Sequence, residues 1–169
     1  MFSKSFTDQL SKNSASFKQI LSDVSEKQAK WKPEPKKWSI LEVVHHLFDE
    51  EREDFRKRID LLLNKPGELW PPIDPEGWVK TRKYNEQDFQ QMLHNFLEER
   101  NKSIAWLENL QNPNWDAAYN HKIVGKISTG DLLASWVAHD FLHMRQLASL
   151  RAEYVEKIAQ PYSTRYAMP

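Results

Sequence analysis

His139 and His143 stand four residues apart in the stretch 136–150, WVAHDFLHMRQLASL. The spacing matters only if the stretch is helical, and its apolar residues indicate that it is. Leu132, Leu133, Trp136, Val137, Phe141, Met144, Leu147 and Leu150 recur close to every 3.6 residues. Four residues are about one helical turn, so both imidazoles leave the same face with Cβ atoms roughly 5–6 Å apart. Two ring nitrogens can then reach one metal ion, as in helical zinc motifs. The pair alone is a weak signal, because buried imidazoles can equally be satisfied by hydrogen bonds. A metal site needs a third ligand and a pocket from elsewhere in the chain.

The helix that carries the pair starts at Thr129, or else Ser128, as N-cap, has Asp131 in its first turn and runs to about Ala159. The tail from about residue 160 reads as irregular. Three more helices precede it. The first covers 4–22, with Phe6, Leu10, Phe17 and Leu21 on its apolar side. The segment KQAKWKPEPKKW comes next, and Pro33 and Pro35 make it an extended connection. Ser39 caps the second helix, and Glu42, three residues on, completes a capping box. Its stripe is Ile40, Val44, Leu47, Phe55, Ile59 and Leu62, and Pro66-Gly67 stops it. Asn85 is the expected N-cap of the third helix, whose core face is Phe89, Met92, Leu93, Phe96, Ile104, Leu107 and Leu110. Two long connections, 65–85 and 111–128, join these helices. Trp70, Trp78, Arg82 and Tyr84 in the first either pack on the body or cover a pocket mouth. The alternation in 119–127 allows a short hairpin. The pattern predicts one all-α domain over residues 1–169, a four-helix bundle with long crossovers.

His46 is the best third ligand, since it lies mid-helix among apolar residues, beside Val43 and Glu50. His45 points about 100° away, towards solvent or a helix boundary. His94 neighbours Asn95, Glu98 and Glu99 and reads as solvated, and His121 lies in a connection. Glu50, one turn after His46, is a candidate fourth ligand or general base, or else a solvated carboxylate. Asp140 either orients a neighbouring residue or makes a structural salt bridge. Gln146, three residues after His143, is a candidate pocket residue. Asp49 and Glu51 have Arg52, Arg56 and Arg58 near in sequence as ion-pair partners.

Composition excludes several other chemistries. The chain has no cysteine, so disulfides, iron–sulfur clusters and protein thiol nucleophiles are absent. With Lys plus Arg 24 and Asp plus Glu 24, it lacks the basic excess of a nucleic-acid binder. No apolar run approaches a membrane span or a signal peptide, which makes the cytoplasm the expected compartment. A high aromatic content and broad apolar faces make a homodimer the expected assembly.

The segments WSILEVVHHLFDEE and HDFLHMRQL resemble the DinB-like family of metalloenzymes. The family pattern W-S-x-x-E-V-x-x-H-L-x-D-x-E falls on Trp38, Ser39, Glu42, Val43, His46, Leu47, Asp49 and Glu51. Its second pattern, H-D-x-x-H-x-x-Q-[LI], falls on His139, Asp140, His143, Gln146 and Leu147. The resemblance extends over roughly 35–155. It implies a four-helix bundle holding a divalent metal through His46, His139 and His143, and it selects His46 over His45. Zinc or nickel is foremost, with iron or manganese as alternatives. It further implies a small-molecule substrate. Transfer of a low-molecular-weight thiol to an electrophile, in detoxification or stress response, is the first expectation. Metal-dependent hydrolysis of a small amide or ester is the second, and a non-catalytic ligand-binding bundle the third.

Overall fold

The computed structural model describes residues 2–167. Helix α1 (Phe2–Leu21) fully buries Leu10, Phe17 and Leu21, which its 3.6-residue repeat places on one face. A short α2 (Glu26–Lys30), capped by Ser25, occupies the start of the stretch that the sequence reads as extended. Pro33 and Pro35 lie beyond it, so they end a helical turn and do not prevent one.

The second long helix forms as predicted at its start. Ser39 Oγ accepts from the Glu42 N–H at 3.1 Å, and Glu42 Oε2 accepts from the Ser39 N–H at 2.8 Å. It is continuous but not uniform. Helix α3 (Ile40–Asp49) passes into a π-helical segment, Glu50–Phe55, and then into α4 (Arg56–Asn64). A π turn takes in an extra residue and shifts the register of the turns after it. Here it lets Glu50, Glu51, Asp54 and Phe55 all turn inward.

The connection after α4 contains α5 (Pro75–Thr81) and a 3-10 turn, Tyr84–Glu86. Asp88, not Asn85, caps α6 (Phe89–Asn109), its carboxylate accepting from the Gln91 N–H at 2.7 Å. Asn85 instead joins Ser39 Oγ and the Lys30 carbonyl, because the chain has yet to leave the 3-10 turn there. Strands β1 (Ala118–His121) and β2 (Gly125–Ser128) form the short antiparallel hairpin, with Ala118 opposite Ser128. Ser128 then caps α7 (Thr129–Ala159) in a second capping box with Asp131. Phe141, placed on the core face by periodicity, is 52 % exposed, because the repeat drifts around a helix this long. None of the described helices is long and apolar enough to cross a membrane.

Helix α1 packs against α6 and α7, α3 against α6, and α4 against α7. The α3–α4 helix is therefore diagonal to α1, and α6 to α7. Two apolar clusters fill the interior. One holds Phe17, Leu47, Phe96 and Leu147, the other Leu10, Phe55, Leu107 and Trp136. Each helix passes through both, and between them each contributes a buried polar residue: Asn13, Glu51, Arg100 and Asp140. The bundle is two oily halves with a charged layer between them.

Candidate metal centre

Helix α3 presents His46, and α7 presents His139 and His143, to a common point. The His46 and His139 Nε2 atoms are 3.2 Å apart, and those of His139 and His143 are 3.0 Å apart. One ligating atom from each residue lies within 4.8 Å of the others. Two nitrogens held by one tetrahedral zinc at about 2.0–2.1 Å stand roughly 3.3 Å apart, so the spacing suits a single ion. His46 and His143 are buried and His139 is half-buried. The edge of Trp38 packs on the His46 ring at 5.1 Å, and Phe55 on His139 at 5.2 Å.

Burial, reinforced by neighbouring imidazoles, pushes His46 down to about 3 and His139 down to about 2. Burial also lowers His143, against the hydrogen bond to Gln146. All three are therefore neutral near pH 7 and offer lone pairs, as a metal requires. The tautomer of His143 is set. Its Nδ1–H donates to Gln146 Oε1 at 2.8 Å, which turns the bare Nε2 to the centre. With that lone pair fixed, hydrogen bonds among the three Nε2 atoms can satisfy only part of the cluster. A cation at the convergence point satisfies all of it, so the residues fit the ion that the sequence implies.

Gln146 thus orients the His143 ring, beyond lining a pocket. Gln146→Leu should lower zinc affinity about 10–100-fold while leaving the melting temperature of metal-free protein nearly unchanged. Competition titration against a chromophoric chelator measures the first, and a thermal scan the second. Unchanged affinity would remove the orienting role.

Glu50 lies on the other side of His46. Its Oε1 is 3.8 Å from His46 Nδ1, too far for a hydrogen bond, and both atoms are buried without a partner. Burial and the adjacent Asp54 push its carboxyl up to about 9. It is outside the group of atoms that converge, and it is buried, not a solvated carboxylate.

Asp140 takes the salt-bridge role. Arg100 holds it through two bonds of 2.6 and 2.7 Å, and Asn13 Nδ2 donates to it at 2.9 Å. Arg100 also pairs with Glu51, to which Trp136 Nε1 donates at 2.9 Å. The sequence offers Arg52, Arg56 and Arg58 as partners for Glu51. Arg52 goes to Glu53, Arg56 to Glu99 and Arg58 to Asp54. Glu99 is accordingly buried, although its polar neighbourhood reads as exposed. Arg100 and Asn13 are the residues that sequence reasoning misses. Nothing local marks them, because their partners are on other helices.

The remaining candidates fall away from the centre. His94 is exposed, and His121 is on β1. His45 is buried, not facing solvent, and stacks on Tyr84 with ring centroids 4.4 Å apart. Tyr84 donates to Asp49, and Arg82 bridges Asp49 and Glu53 at 2.7 and 2.6 Å while lying over Trp78. Trp70 stacks on Tyr119. These aromatics tie the 65–86 connection to the bundle and line no part of the cleft beside His143. That cleft, of about 730 Å³, is walled instead by residues 37–38 and the outer face of α7.

Residues 9–147 match the family model described as the DinB superfamily. No curated protein matches the sequence. Among solved structures the chain is similar to YfiT from Bacillus subtilis, described as a probable metal-dependent hydrolase with an unusual four-helix bundle topology. The match has a TM-score of 0.78 at 20 % identity and covers 90 % of this chain and 87 % of that one. The likeness shows the shared bundle, and the family model spans the stretches that carry all three histidines: the chain belongs to the DinB superfamily.

Proposed function

We propose that this chain is a divalent-metal-dependent enzyme in which His46, His139 and His143 hold the ion, with zinc or nickel foremost. The observation that carries the reading is the convergence of three neutral Nε2 atoms at 3.0 and 3.2 Å. A divalent ion there, held by uncharged ligands, supplies Lewis acidity and lowers the pKa of a water or thiol that binds it. Gln146 fixes the imidazole of His143, and Trp38 and Phe55 shield the rings of His46 and His139 from water.

The reaction that fits best is transfer of a low-molecular-weight thiol to an electrophilic small molecule. The chain has no cysteine, so the thiol comes from outside. Glu50, the carboxylate nearest the histidines, lies behind His46 and is held neutral, which leaves it poorly placed to act as a base. A thiol that the bound ion would make acidic would need no such base. The second reading, metal-dependent hydrolysis of a small amide or ester, draws on the description of YfiT. Zinc- or nickel-loaded protein should conjugate bacillithiol, mycothiol or glutathione to an electrophile such as monochlorobimane, with the rate lost on chelation. Turnover of a nitrophenyl ester that needs metal but no thiol would select the hydrolase instead.

A further inference from the structure

The cleft beside His143 runs along one stripe of α7 through Leu142, Gln146, Ser149 and Glu153. The eleven helical steps from Leu142 to Glu153 give it a length of about 16 Å at 1.5 Å per residue. Trp38 and Leu150 provide apolar wall, enough for the body of a small organic molecule. The polar groups of the cleft are unequal. Its carboxylate, Glu153, is committed: it faces Lys37 at 3.6 Å and accepts from Ser149 at 3.3 Å. Lys37 is further engaged by Glu34 at 3.0 Å. The oxygen of Gln146 is taken up by His143, which leaves its amide N–H groups as donors. Arg145, exposed on the cleft wall, has no acidic partner among the described residues. The cleft therefore offers a free guanidinium and a free amide donor, while its one carboxylate is already engaged.

From this imbalance we infer that the cleft binds a small molecule with an apolar body and an oxyanion, a carboxylate or phosphate, which Arg145 receives. A guanidinium presents a planar pair of N–H donors that matches the two oxygens of such a group. The inference rests on the proposed enzyme only in naming this molecule as its substrate. Occupation of the cleft itself requires no metal.

A matched pair of probes tests it: 4-phenylbutanoate and its neutral amide, titrated into the full ¹⁵N-labelled chain, as purified and again after metal removal. Backbone and indole NMR shifts along α7 and at Trp38 report binding. The carboxylate should bind about tenfold more tightly than the amide in both forms. Arg145→Gln should abolish the difference while the weak binding of the amide persists. Equal affinity for the two probes, or no shift with either, overturns the inference. So does a preference that survives Arg145→Gln or that needs the metal. Protein that takes up no metal under any supply yet discriminates between the probes would sink the enzyme reading and leave this one standing.

Discussion

Metal-free protein supplied with zinc should take up one ion per chain, and His139→Ala should retain none after gel filtration. His139 is the critical ligand because its Nε2 is the atom close to both others, at 3.2 Å from His46 and 3.0 Å from His143. Removing it leaves two donors, and the loss in affinity should exceed the 10–100-fold typical of an outer hydrogen-bond partner. Binding should also register as stability. At free zinc a hundred times the dissociation constant, the gain is about 2.7 kcal/mol. For a chain of this size that raises the melting temperature by roughly 5–11 °C. The variant should fold and show no zinc-dependent rise. Elemental analysis and a thermal scan read both effects. Stoichiometric zinc in His139→Ala would refute the ligand assignment, and a wild type that takes none under any supply would refute the metal.

The second large effect concerns stability. Arg100→Met should destabilise the protein by about 3–5 kcal/mol, because it strands two buried carboxylates. Arg100 is 1 % exposed, Glu51 1 % and Asp140 0 %, so water cannot replace the lost guanidinium. The fault lies in the imbalance of charge more than in the lost contacts. Adding Glu51→Leu and Asp140→Leu to Arg100→Met should therefore recover a large part of the stability, although Asn13 and Trp136 lose their acceptors. Urea unfolding followed by circular dichroism measures all three chains. A single variant as stable as wild type, or a triple variant worse than the single, contradicts this account.

The sequence made the bundle legible because its evidence is local. The capping box at Ser39, the N-cap signal at 128–129 and the stripes of α1, α6 and α7 are written within a few turns of chain. The two histidines of α7 were visible for the same reason. His46 stands out by its position among apolar residues, and the family motif selects it over His45. The π segment was not legible, since an extra residue in a turn leaves the composition unchanged. Its consequence, Glu50 and Glu51 buried side by side, breaks the periodicity on which the reading depends. The partner of Glu51 was illegible because Arg100 is 49 residues away, whereas three other arginines are near in sequence. Of the two roles open to the aromatics of the first connection, packing on the body is the one they take, and the cleft beside His143 is walled by other residues.

The charged layer also bears on the order in which the chain assembles. Asn13 and Asp140 are 127 residues apart, and Trp136 and Glu51 are 85. Individual helices of this length form in under a microsecond, but contacts across such spans must first close long loops against chain entropy. The layer is complete only when α1, α6, α7 and the α3–α4 helix have all met, so it belongs to the last step of folding. A collapsed chain with its helices paired otherwise would bury Arg100 away from one or both carboxylates and be penalised for it. The same ion pairs that join the finished bundle thus make it hard for the chain to stop at the wrong one.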